Sequence, residues 1–275
     1  MLAIATIDAP PQSDEQHTHC VVLYLEYDGT RYRGYQMQRD EPTVQDAVEK
    51  ALESLTGQKY RLTSASRTDA GVHAQNQVVS FVPTKEMTLR AYESGLNHYL
   101  PHDIAVTRAI WASPSLHVRR SAVARTYRYT ILNRATRSPL WDRIAALVRE
   151  PLDVSAMQQA ADALSGWMDV RPFTGPLPPR RTPMRRLDRA EVRRNDEFVT
   201  IELEGNSFLP HQVRRTAGAL VEVGRGHMTP VDFHRLARSG TAGEADWTMP
   251  PQGLCLIGVR YDSFPIASED VICRQ

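Results

Sequence analysis

Cysteine is scarce in this sequence, and its scarcity narrows what the protein can be. The three cysteines, Cys20, Cys255 and Cys273, lie far apart and form no CxxC pair. That argues against a disulfide framework or a cysteine-built zinc site and suits a reducing, cytoplasmic setting. Long apolar runs are missing too: none approaches the ~18 residues that a membrane-spanning helix needs. The opening MLAIATIDAP is briefly apolar, but no basic segment precedes it and no clear cleavage site follows. Residues 1–18 are therefore expected to form a loose tail, not a signal peptide. The signatures GxxxxGK, GxGxxG, GxSxG and HExxH are absent, so nothing calls for a nucleotide or redox cofactor or for a metal.

A net charge of +1 says nothing by itself about nucleic acid, but the distribution of charge says more. Of 33 basic residues, 30 are arginine. Seven arginines against one acid, Asp142, lie between His117 and Arg143, and seven more against Asp188 and Glu191 lie between Arg180 and Arg194. A guanidinium is a planar fork that matches phosphate oxygens and can stack on bases. Two such clusters point to a polyanion, although arginines on ordinary solvated faces would look the same.

Hydrophobic periodicity orders the chain. CVVLYLE, 20–26, reads as a buried strand. Thr43 caps a helix whose stripe is Val44, Ala47, Val48, Ala51, Leu52 and Leu55, and Gly57 stops it. A short strand near 59–64, a strand at 77–82, a helix capped by Thr88 and a strand at 103–112 follow, giving βαββαβ. The second half repeats the order: a strand at 125–132, a helix from Asp153 closed by Gly166, and strands at 186–194 and 197–204. Then come a helix over PHQVRRTAGALVEVG, another capped by Thr229, and a strand at 254–262. The expected fold is α+β, with two ferredoxin-like halves whose antiparallel sheets pack around a central cleft. The expected units are a tail at 1–18, an N-terminal α/β domain at 19–113, a C-terminal α/β domain at 114–265 and a tail at 266–275, with the boundary near Ser113-Pro114-Ser115. The proline-rich RPFTGPLPPRRTP, 171–183, cannot be regular structure; it is a flexible excursion or a binding loop.

Asp69, in SASRTDAGVHAQNQ (64–77), lies in a link of about a dozen residues between two strands, longer than a hairpin needs. An aspartate before glycine suits an Asx-turn. Beside Arg67, and facing a cleft, it could equally be a base, a ligand or a nucleophile. His73 alone is not a metal site. In ARTYRYTILN, Tyr127 and Tyr129 share one strand face and Arg128 the other; they form either a core pair or a stacking platform beside arginines. Arg214 borders the apolar side of its helix, where it could snorkel or reach a carboxylate and keep it ionised. YDGTRYRGYQMQ, 27–38, carries a glycine turn but lacks the pattern of a phosphate loop.

Six blocks occur in a telling order: YDGTRYRGYQMQ…TVQDAVEKAL, SRTDAGVHAQNQVVSF, LNHYLPHDIAV, RSAVARTYRY, FLPHQVRRTAGALVEVGRG and PPQGLCL. Together, over about residues 20–262, the chain resembles TruA-type tRNA pseudouridine synthases. The resemblance implies isomerisation of uridine to pseudouridine at positions 38, 39 and 40 of the tRNA anticodon stem-loop, by a homodimer that needs no metal or cofactor. It implies Asp69 as the catalytic aspartate, Arg67 as the residue that aids base flipping, Tyr127 as the active-site tyrosine and Arg214 as the partner of Asp69. Two departures stand out. Ser66 replaces a usual glycine, and SGWMDVRPF, 165–173, stands where a Gly-x-His-Asp-Phe run is common, with Met168 and Val170 in the His and Phe places. The rival readings are a non-catalytic RNA-binding protein of tandem ferredoxin-like units, for which no RNP1-like run is present, and a carboxylate-dependent hydrolase, which would need a second acid against Asp69.

Overall fold

The computed structural model describes residues 19–84 and 87–262; the two expected tails, 1–18 and 266–275, and Cys273 lie outside them. The first half runs β1 (Cys20–Tyr27), α1 (Val44–Thr56), β2 (Thr63–Ser64), β3 (His73–Phe81), α2 (Leu89–Tyr99) and β4 (Ile104–Ala112). The second runs β5 (Ala124–Asn133), β6 (Ala146–Val148), α3 (Val154–Ala161), β7 (Gly166–Asp169), β8 (Met184–Asn195), β9 (Phe198–Gly205), α4 (Gln212–Gly224), α5 (Pro230–Arg238) and β10 (Leu254–Arg260). The expected helix starts are in place. Thr43, Thr88, Asp153 and Thr229 each accept a hydrogen bond from the backbone N–H three residues on, which satisfies a donor that the helix itself leaves free. Gly57 ends α1 at φ 74°, a left-handed angle that suits glycine.

Each half keeps the strand order of a ferredoxin-like unit. β4-β1-β3 with β2 on β3 forms the first, and β10-β5-β9-β8 the second. The two sheets are continuous. They are fused edge to edge into one ten-stranded sheet, because β10 pairs with both β3 and β5. Alternate residues of β1 divide between two cores. Val21, Leu23, Leu25 and Tyr27 enter the large core that holds the helices, while Cys20, Val22 and Tyr24 enter a smaller cluster with Ala65 and Val118. That division is why β1 reads as an unbroken apolar run.

The fusion leaves a fork. β2 pairs with β3 at Ser80 and Val79, whereas β10 pairs with β3 at His73 and Ala74, at the other end of the strand. The loop 65–72 leaves the sheet between these two pairings. It is shorter than the dozen residues expected, since β3 begins at His73 rather than at 77. Gln77, fully buried, binds the chain where it departs: its Nε2 donates to Ser66 O (2.8 Å) and its Oε1 accepts from Ser66 N (3.2 Å). The YDGTRYRGYQ segment braces the loop from outside. Tyr35 N donates to Thr68 O (3.1 Å), Gly71 N donates to Tyr32 O (3.2 Å), and Tyr27 and Thr68 share a hydroxyl hydrogen bond of 2.9 Å.

One sequence departure finds its place here, and one expected helix end shifts. The 165–173 run becomes the edge strand β7 and a 3-10 turn, Arg171–Phe173, at the far side of the sheet, with Val170 and Phe173 buried. Helix α3 stops at Ala161 and continues as a 3-10 turn to Leu164, so Gly166, at φ 94°, opens β7 rather than closing a helix.

The bracing depends on glycines that admit no side chain. A Cβ on Gly34, at φ 99°, would lie 2.7 Å from Thr68 O and 3.3 Å from Ala70 N. Gly34→Ala is therefore expected to lose about 1–3 kcal/mol of stability, from the left-handed angle and the collision together, and to lose activity beyond what that destabilisation explains. Urea denaturation with a parallel activity assay checks it. Gly57→Ala is the control, because it has a left-handed angle but nothing within 4 Å of the added carbon.

Candidate active site

A pocket of about 440 Å³ opens at the fork, within the ~300–1,000 Å³ usual for small-ligand sites. It brings together all four residues singled out in the sequence: Arg67 and Asp69 from the loop, Tyr127 from β5 and Arg214 from α4. Among its lining residues Asp69 is the single carboxylate, set against six arginines: Arg33, Arg67, Arg119, Arg125, Arg181 and Arg214. A paired-carboxylate hydrolase has no second acid here.

Tyr127 is held at both ends. Its hydroxyl lies 2.7 Å from Ser66 Oγ, and its ring meets Phe208 edge-on, with centroids 5.3 Å apart and planes at 82°. Burial pushes its phenol up to about 12, helped by the negative charge of Asp69, so it stays protonated near neutrality. Ser66 has no left-handed backbone angle. Serine therefore fits where glycine was expected, and its hydroxyl ties the loop to the tyrosine. Tyr129, on the same strand face, lies deeper. It packs against Gly253 and donates to Pro250 O (2.6 Å), so it is a core residue rather than a second platform.

Arg214 is half-buried. Its Nε donates to Met249 O (2.7 Å), which anchors the guanidinium between α4 and the approach to β10. Burial draws its proton affinity down, and the charge of Asp69 opposes that pull. The expected pairing with Asp69 is thus an attraction across the pocket: no ion pair within 4.0 Å joins them among the described residues. The cation-capable group nearest Asp69 is His211, whose Nδ1 is 3.7 Å from Oδ2. Sequence reasoning missed His211. The available signal was a capping fault: α4 starts after Pro210-His211, with no Ser, Thr, Asp or Asn at its N-cap.

Arg125, one of the arginines interleaved with the tyrosines, is a strut. It is buried, and its guanidinium donates only to main-chain carbonyls: Ala65, Arg119, Ala122 and Asn206, at 2.6–3.3 Å. It fastens the start of the loop to the linker before β5 and to the end of β9. Burial lowers its proton affinity, but an arginine keeps its charge regardless. A fixed positive charge with no carboxylate partner therefore underlies the pocket. His73 is a second strut. Its Nδ1 lies 3.0 Å from Gly29 N and 3.2 Å from Asp28 Oδ1, and its Nε2 lies 3.1 Å from Gln252 O, so the ring joins the two halves.

Beyond the pocket lies a wider groove of about 1050 Å³, lined by Arg61, Arg67, Arg119, Arg120, Arg125 and Arg186 among others. The structure sorts the arginine clusters. Arg128, Arg189 and Arg193 pair with Glu202 or Glu191 across the exposed sheet face, and Arg134 pairs with Glu197. Arg67, Arg119 and Arg181 have no acid at ion-pair distance among the described residues, and they repel one another: their charges, after burial itself, lower the proton affinity of Arg119. Arg181 comes from the proline-rich segment, which thereby reaches the pocket.

A family model described as tRNA pseudouridine synthase matches residues 24–119 and 160–262. The chain is 41% identical over 241 residues to tRNA pseudouridine synthase A of Pelobacter propionicus, covering 88% of this chain and 99% of that protein. With the same coverage it is 42% identical to the Geobacter sulfurreducens protein of that name. It is 38% identical over 244 residues to the one from Moorella thermoacetica, covering 88% of this chain and 99% of that protein. Among solved structures, a chain of a Cbf5-Nop10-Gar1 complex aligns over 77% of this chain and 55% of its own at a TM-score of 0.33 and 10% identity, too distant to carry an argument. The family match covers most of both halves, including the loop that carries Asp69, and it sets aside the non-catalytic reading: the chain belongs to the tRNA pseudouridine synthase family, isomerases that act on tRNA.

Proposed function

We propose that this enzyme converts uridines 38, 39 and 40 of the tRNA anticodon stem-loop to pseudouridine, with Asp69 as its nucleophile. The observation that carries the reading is the lone Asp69 carboxylate in a pocket with Tyr127 and Arg214, at the edge of an arginine-lined groove. The reaction breaks the N1–C1′ bond, turns the base and joins C5 to C1′. C5 gives up a proton and N1 ends with one, so no cofactor is consumed.

Each residue then has a task. The groove arginines hold the RNA backbone, and the target nucleotide leaves the helix at a cost of a few kcal/mol. Arg67, at the junction of groove and pocket, fills the vacated space. Tyr127 and Phe208 give the extruded uracil an aromatic wall, worth about 1–3 kcal/mol per stacked base. Arg214 and the buried charge of Arg125 set positive charge around Asp69, where negative charge must be held as the nucleophile attacks. The division into an N-terminal half, 19–113, that supplies Asp69 and a C-terminal half, 114–265, that supplies Tyr127 and Arg214 belongs to the same reading. So do a cytoplasmic homodimer and one tRNA that touches both subunits, which rest on the family resemblance.

Asp69→Asn is expected to cut turnover by about 10⁴-fold or more, the scale of losing a nucleophile, while tRNA affinity stays within a few-fold of wild type. Pseudouridine mapping on unmodified tRNA, with filter binding, checks both. Arg214→Leu is expected to lose activity by at least about tenfold while its melting temperature stays within a few degrees. Parallel falls in both would make Arg214 a packing residue instead.

A further inference from the structure

Helix α4 opens on a residue that caps nothing. His211 sits at φ 60°, ψ −4° and makes no side-chain bond to the free N–H groups of the helix. A left-handed angle costs a non-glycine residue roughly 1–2 kcal/mol, and the other four α-helices all carry a Thr or Asp cap in extended backbone. What this geometry achieves is the placement of one ring nitrogen. His211 Nδ1 lies 3.7 Å from Asp69 Oδ2 and 3.3 Å from Arg214 Nη1. A guanidinium can only donate and a carboxylate can only accept. Nδ1 therefore serves one neighbour at a time: bare, it accepts from Arg214; protonated, it donates to Asp69.

We propose that His211 is a proton-controlled selector between Asp69 and Arg214, a positioning residue for the reaction proposed above. With Nδ1 bare, the ring steadies Arg214 beside the pocket and leaves the Asp69 oxygens open to the nucleoside. With Nδ1 protonated, the imidazolium turns onto Asp69, occupies its oxygens and releases Arg214. The side chain is half-exposed and caps none of the helix N–H groups, so its bond to Arg214 is the one contact with the helix that the turn would break. The charged groups that face it are Asp69 from the loop, Arg214 from its own helix, and Arg33, Arg67, Arg119, Arg125 and Arg181 around the pocket wall. The arginines keep their charge at every working pH, so the exchange is governed by His211 and Asp69.

The test follows the ring directly. Nitrogen-15 NMR of the histidine side chains gives the pH at which His211 takes up its second proton in wild type, Asp69→Ala and Arg214→Leu. Loss of the carboxylate should lower that pH and loss of the guanidinium should raise it, each by about one pH unit, the scale expected of a charge within ~4–6 Å. Three identical titrations would overturn the proposal. A second arm compares single-turnover activity against pH for wild type and His211→Gln, each normalised to its own plateau. The acid-side decline of wild type should move to lower pH in the variant; coincident declines would also overturn the proposal. If His211→Gln is inert or unfolded, the NMR arm decides. Isomerisation by Asp69→Ala would instead sink the functional reading, whatever His211 does.

Discussion

One carboxylate among six arginines is the constraint on which the rest of this structure depends. Of the six, Arg33 pairs with Glu41, while Glu202, Glu204 and Glu191 pair with Arg128, Arg189 and Arg193 on the exposed face of the sheet. The pocket is left with an excess of positive charge that polyanionic RNA can satisfy. The same excess surrounds Asp69, the proposed nucleophile. In the proposed reading, binding and chemistry draw on one electrostatic imbalance.

That imbalance is useful only if Asp69 stays in place, and the fold supplies the holding. The fork between β2 and β10 creates the opening, and Gln77 pins the chain as it leaves. Arg125 ties Ala65 to two segments of the second half, and Gly29 and Gly34 let a neighbouring segment press against the loop. These supports are backbone-directed, so they fix where Asp69 sits while leaving its oxygens uncommitted. His73 and β10 bind the two halves into a continuous sheet, so Tyr127 and Arg214, 58 and 145 positions further along the chain, meet the loop in a fixed arrangement.

Much of this was legible in the sequence, for local reasons. Thr and Asp caps announce the starts of four helices and Gly57 the end of α1, and the alternating strands of both halves announce a sheet. The four site residues lay in blocks whose order carried the resemblance, and all four line one pocket. What was hidden depends on long-range pairing. No local pattern reveals that β10 inserts between β3 and β5, which turns two expected sheets into one and shortens the Asp69 loop by starting β3 at His73. The roles of Arg125 and Gln77 are hidden for the same reason, since their partners lie in distant segments. His211 was legible in principle, as a helix start without a cap. The arginine clusters read alike in sequence, and only the position of the acids separates those that cover a sheet face from those that line a groove.

The central claim is that Asp69 and Arg214 act as one unit across the two halves during the reaction. A double-mutant cycle on single-turnover pseudouridine formation tests it most directly, using Asp69→Glu, Arg214→Lys and the double variant, all of which keep their charges. The account predicts coupling, with the double variant falling short of the product of the single losses by more than about 1 kcal/mol, the scale for groups in one network. Losses that simply multiply would contradict it.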